Sequence, residues 1–171
     1  AIAIYDSLRN LKEAPHQVLA GAWRGAIIMR ASKGLPLLLQ ALRSDDPWLA
    51  TAALRIAMEM NDAQVSQALA DELGKVPAAR QIPLCNVLGR RGDAAALPAL
   101  LGVSKTGDKA VRVAAIRAVA EIGNAGAAAP LIELLKDSDG EVVQAAYTGL
   151  AGLPGAEVDE VIIRMLDSPD P

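Results

Sequence analysis

The chain has 171 residues, of which 52% are hydrophobic, 22% charged and 2% aromatic, with no Phe. That balance excludes a disordered tail and suits one globular or solenoid domain over 1–171. The net charge of −3 argues against a duplex-binding protein, which would carry a basic footprint.

Apolar residues recur from the N-terminus at i, i+3, i+4 and i+7, the period of helices buried on one face. Ile4, Leu8 and Leu11 mark a first helix over 2–12, and a second is expected over 16–30. The segment GLPLLLQAL predicts a helix over 34–43, followed by one over 47–60. Val65, Leu69 and Leu73 place the next at 63–74, and then come helices at 77–90, 94–103, 109–122, 127–136 and 141–152. A last helix over 157–167 is carried by Val158, Val161, Met165 and Leu166. The β-branched and aromatic residues that strands favour are sparse. Pro36, Pro98 and Pro130 sit at helix starts, where a missing N–H costs nothing. Asp46 and Asp108 are the expected N-caps. Gly92, Gly123 and the Pro154-Gly155 pair are read as helix ends. Pro83 lies beyond the first turn of its helix and predicts a kink or a short irregular start.

These helices repeat. DKAVRVAAIRAVAEIG at Asp108–Gly123 shifts by 31 residues onto Asp139–Pro154 in one direction, and onto Pro77–Gly92, Asp46–Asn61 and Pro15–Arg30 in the other. A fixed period in this range marks a solenoid. Each period holds a first helix, A, and a second, B, joined by a short turn. The pattern predicts an all-α fold of five full A–B pairs and one extra A helix. Ser168-Pro169-Asp170-Pro171 occupies an A-to-B turn position, so Val158, Val161, Ile162 and Met165 would face outward. Terminal repeats need a polar outer face. We therefore expect a segment of a longer protein; the alternative is a natural end that dimerises through the C-terminal helix.

An A helix reading x-L-P-x-L-L, a turn ending in Asp, and a B helix with Val111, Arg112, Ala114, Ala115, Ala118, Val119, Ile122 and Gly123 resemble the HEAT-like repeat family. The short, roughly 31-residue form named after the phycobilin lyases is the nearest variant, and the resemblance covers the whole chain. It implies a right-handed α-solenoid superhelix of antiparallel helix pairs, armadillo-like in character, with B helices lining the concave surface. The Arg112 column holds Leu19, Ala50, Gln81 and Val143 in the other repeats, so the stacked Asp/Arg ladder of the family is mostly missing. In the family such repeats mostly present a surface to another protein. Some members chaperone chromophore attachment, and a few act on DNA.

On a helical wheel Val111, Ala115, Ala118 and Ile122 form the core face, with Ala114 and Val119 at its flanks. Ala110, Val113, Arg117 and Glu121 face the other way. The outward column Arg24, Arg55, Asn86, Arg117, Thr148 is either a guanidinium ladder for planar oxyanions or a set of solvated residues with Arg55–Glu59 and Arg117–Glu121 as i, i+4 pairs. Trp48, at the start of a B helix, is the best single anchor for a partner, against the alternative that it packs on a neighbouring turn. Trp23, Leu54, Cys85, Ile116 and Tyr147 form an apolar column read as inter-helix packing.

Residues for chemistry are scarce. His16 and Cys85 are the only residues of their kinds and cannot build a zinc site or a nucleophilic triad. The glycine pairs at 123/126 and 152/155 lack the strand and Lys of a phosphate loop. Asp45/Asp46, Asp71/Glu72 and Asp159/Glu160 are read as exposed carboxylates. No apolar run reaches the roughly 20 residues of a membrane span. One thiol fixes no compartment, so bacterial cytoplasm and periplasm both stay open. The expectation is a non-catalytic scaffold, without cofactor or metal, that binds a peptide or protein on its concave B-helix face. The alternative is an accessory module of a larger enzyme or a lyase-like chaperone of cofactor attachment. The candidate partner-binding residues are Arg24, Trp48, Arg55, Asn86 and Arg117.

Overall fold

The computed structural model describes residues 1–11, 13–155 and 163, and all regular structure among them is helical. The A helices are α1 (Ile2–Arg9), α3 (Leu35–Leu42), α5 (Ala63–Glu72), α7 (Leu97–Thr106) and α9 (Ala128–Leu134). The B helices are α2 (His16–Ile28), α4 (Pro47–Glu59), α6 (Ala78–Arg91), α8 (Lys109–Ile122) and α10 (Gly140–Gly152). The helix expected over 157–167, the apolar face assigned to it, the Asp159/Glu160 pair and the Ser168–Pro171 turn lie outside the described residues.

Short 3-10 turns at Ala31–Gly34, Ala94–Ala96 and Ala125–Ala127 lead into α3, α7 and α9. Asp93 and Asn124 start the last two by accepting from the amides of Ala95 and Gly126. Gly92 and Gly123 end α6 and α8 in the left-handed conformation, at φ +68 and +67. Asp46 caps α4 through the Trp48 amide at 2.9 Å, and Asp139 caps α10 through the Glu141 amide at 2.9 Å.

Three local expectations need correction. Asp108 occupies the N-cap position of α8, but its side chain makes no cap hydrogen bond; its carbonyl accepts from the Arg112 amide. α6 starts regularly and runs unbroken through Pro83, whose ring lies on the exposed side of the helix. Leu153, in extended conformation, ends α10, and the positive φ of Gly155 falls beyond it.

The chain forms two compact units, Ala1–Leu69 and Ala70–Pro171. In the first, α1 packs on α2, α3 on α4, and α2 on α4. Ala26, Ile27, Leu38, Leu42, Ala53 and Ala57 form its dry centre. Trp23 is only 8% exposed, as its apolar column requires, and the Arg9 guanidinium lies 5.0 Å above its ring.

In the second unit α8 is the shared wall, packing against α6, α7 and α10. Val111, Ala114, Ala115, Ala118 and Val119 are buried as the wheel predicts, and Ile122 is half-buried. Small residues bring the helices close: a Cβ on Gly89 of α6 would stand 2.8 Å from the Cα of Ala118. The expected ladder has one complete rung. The Arg112 guanidinium donates to the Ser104 carbonyl at the end of α7 at 2.8 Å, and also binds Asp137 in the turn before α10. Asp137 in turn accepts from the Asp139 amide at 2.9 Å. These donors, the Arg112 hydrogen bond first, hold the Asp137 carboxyl below its usual range.

Two buried or exposed positions run against the sequence reading. Glu72 is buried, at 2% exposure, with Lys75 3.0 Å from its carboxylate, so the Asp71/Glu72 pair is not wholly at the surface. Tyr147 is 63% exposed, although its column is apolar. Ile116, one period earlier, packs against Gly149 of α10.

A glycine comparison tests the packing. A Cβ on Gly34 would collide with the Ile27 carbonyl, whereas Gly102, inside α7, faces open space. Gly102→Ala should stabilise the protein by about 0.5–1 kcal/mol through helix propensity. Gly34→Ala should destabilise it by roughly 1–3 kcal/mol through overpacking. Thermal unfolding of the two variants checks the opposite signs.

Candidate partner-binding grooves

The outward stripe of each B helix carries the residues that can meet a partner. Gln17, Arg24, Thr51, Arg55, Glu59, Ala79, Asn86, Arg90, Ala110, Arg117, Glu121, Glu141, Gln144 and Thr148 are all exposed. Where two B helices lie side by side within a unit, the stripe becomes a groove.

In the first unit the groove runs between α2 and α4 and encloses about 400 Å3. Ala20, Gly21 and Ala52 give it small residues; Ile56, Trp48, Thr51, Arg24, Arg55 and Glu59 complete it. Trp48 is half-buried and stacks on His16, with ring centroids 4.8 Å apart and an interplanar angle of 26°. His16 opens α2 and Trp48 is the second residue of α4, so the stack joins the starts of neighbouring B helices.

The two arginines of this groove are in different states. Arg24 reaches across to α4 and grips Glu59 through Nε at 2.8 Å and Nη2 at 2.5 Å. The Arg24 hydrogen bond holds the Glu59 carboxyl below its usual range, and Glu59 raises Arg24. The anticipated Arg55–Glu59 pair is therefore not formed, and Arg55 makes no hydrogen bond or ion pair among the described residues. A planar fork that finds a carboxylate on the adjacent helix is fixed better than one sharing a flexible i, i+4 contact.

In the second unit a groove of about 460 Å3 runs between α8 and α10. It is lined by Val113, Ala120, Ala145 and Gly149 with Arg117, Glu121, Glu141, Gln144 and Thr148. Arg117, Gln144 and Ala145 are the repeat equivalents, three periods on, of Arg24, Thr51 and Ala52. The Arg117–Glu121 pair is also not formed: Glu121 leans toward Gly89 of α6 instead. Lys109 bridges to Glu141 at 2.6 Å and to Asp139 at 3.3 Å, tying the entrance of α8 to that of α10.

Of the candidate residues, Arg24, Trp48 and Arg55 thus share one groove and Arg117 lines the other. Asn86 is exposed on α6 and lines neither of the two. Residues 77–151 match the family model for HEAT repeats. That stretch carries HEAT repeats. The match takes in α6 to α10, so both the small-residue contacts of α8 and the second groove are HEAT-repeat features. The fold is an all-α solenoid, and HEAT repeats generally mediate protein interactions. A search of curated proteins gives no significant match. No described helix is long and apolar enough to cross a membrane, and no cluster of His, Cys, Asp or Glu among the described residues could hold a metal ion.

Cys85 is fully buried in α6, and burial pushes its thiol up from 9.0 to about 11. The folded state keeps a proton that the unfolded chain releases above pH 9. Stability should therefore fall between pH 9 and about pH 11, and the fall should be smaller in Cys85→Ala. At pH 8 a thiol-specific reagent should modify Cys85 no faster than the protein unfolds.

Proposed function

We propose that this protein is a non-catalytic interaction scaffold that binds a peptide or protein segment on the face formed by its B helices. The observation that carries the reading is the recurrence of an open groove at equivalent repeat positions. α2/α4 and α8/α10 each offer an arginine, a threonine hydroxyl and small residues in the lining, and α8/α10 adds the amide of Gln144. Small side chains let a partner's backbone approach, while the polar groups hold its amides and carboxylates. Trp48 adds a rigid apolar surface beside the first groove, the kind of residue that carries binding energy disproportionate to its area.

The supporting features are matched by what the grooves lack. Their titratable groups are paired or open to water, and the one strongly shifted thiol is buried away from them. Arg24 and Glu59 satisfy each other, an arrangement suited to holding a groove wall in place rather than to transferring protons.

Selection of peptides from a displayed random library against the whole chain tests the reading. Retained peptides should lose about tenfold or more in affinity to Trp48→Ala or to Ala145→Arg, which fills the second groove. They should be indifferent to Gln40→Ala on the exposed side of α3. Peptides that depend on Gln40 and ignore both groove variants would contradict the proposal.

A further inference from the structure

We infer that the α2/α4 groove is a docking site for an extended acidic segment of a protein partner, with an apolar side chain resting on Trp48 and an Asp or Glu carboxylate taken by Arg55. The inference rests on the scaffold reading above and gives one groove its partner class. Its starting point is the difference between the two arginines. Glu59 fills the fork of Arg24 with two nitrogens bound, so that pair is internally neutral. Arg55, on the same helix as Glu59 and one turn before it, retains its five donors unused among the described residues. The groove therefore has one uncompensated positive charge, and its complement is a single carboxylate.

The spacing sets the ligand's form. Trp48 and Arg55 are seven residues apart in α4, so they lie on one face about 10 Å apart along the axis, at 1.5 Å per residue. A chain extended in the polyproline II form has three residues per turn and rises about 3.1 Å per residue, so residues three apart share one face about 9 Å apart. The partner's apolar and acidic residues should then be separated by two positions. Between them the lining is Thr51 and Ala52 from α4, and Ala20 and Gly21 from α2. A Cβ built on Gly21 meets nothing within 4 Å, which leaves room for a main chain to lie over it. A helix would present its apolar and acidic residues at other spacings and would bring a cylinder about 10 Å across to this narrow floor.

Glu59 limits what can bind. By occupying Arg24 it leaves Arg55 as the one open fork of the groove, so a second negative charge finds no partner there. A polyanion such as a nucleic acid needs a row of open cations, and the groove offers a single one. Removing the Glu59 carboxylate reverses the situation: with Glu59→Gln, Arg24 loses its partner and becomes a second fork for the ligand.

Fluorescence anisotropy on the whole chain tests this with three labelled peptides, the first two blocked at both ends. The first contains one leucine and one glutamate separated by two glycines. The second replaces the glutamate by glutamine, and the third lacks the glutamate but ends in a free carboxylate. The first should bind about five- to tenfold more tightly than the second, as one charge-assisted bidentate contact provides. The third should not match it. Arg55→Ala should abolish the preference, Trp48→Ala should weaken the first peptide by a similar factor, and Glu59→Gln should tighten it. Circular dichroism establishes that each variant is folded. Equal binding of the first two peptides, a preference that survives Arg55→Ala, or stronger Arg55-dependent binding of a single-stranded oligonucleotide would each overturn the inference. Loss of the glutamate preference with continued groove-dependent binding of library peptides would remove this inference and leave the scaffold reading standing.

Discussion

Close contact between neighbouring B helices is the constraint on which the second unit depends. Helices approach only as near as the side chains between them allow. Gly89 and Ala118 bring α6 against α8, and Ala120 and Gly149 bring α8 against α10. Because each interface consists of small residues, a bulkier side chain has no free volume to occupy. The alanine-rich composition, unpromising for a large apolar core, is thus what a stack of closely set helices requires. The same closeness shapes the surface. Two B helices in near contact leave a shallow, open groove between their outward stripes, and small residues line it.

Polar contacts secure this stack at its turns. Arg112 joins the end of α7 to the turn before α10, and Asp137 passes the connection on to the amide of Asp139, which caps α10. Lys109 adds a second tie between the starts of α8 and α10. One arginine therefore connects three helices of successive repeats, although a single rung is all that the described residues retain of the Asp/Arg ladder of HEAT-like repeats.

Periodicity made the helices and their faces legible. The 31-residue shift located A and B helices to within a few residues, and the wheel separated Val111, Ala115 and Ala118 from Arg117 and Glu121. Trp23 and Cys85 fell in the core for the same reason. The wheel, however, sees only neighbours within one helix. It paired Glu59 with Arg55 at i, i+4, whereas the nearer guanidinium belongs to Arg24, one period and one turn back in the chain. Glu121 was misassigned in the same way. The His16–Trp48 stack was legible only in part, since the 31-residue shift sets Trp48 level with Gln17, the neighbour of His16. Asp108 and Asp139 look alike in sequence, yet only Asp139 caps with its side chain; a residue type permits a cap, and the local backbone decides it.

If α8 is the wall on which the second unit is built, its amides should be the last in that unit to open. Native-state hydrogen exchange measures this directly. The account predicts that the amides of Ala115, Ile116 and Val119 exchange only through unfolding of the whole unit, with the dependence on denaturant of global unfolding, while those of α9 open earlier. Exchange from the middle of α8 by local fluctuation, at or above the rate of α9, would contradict it.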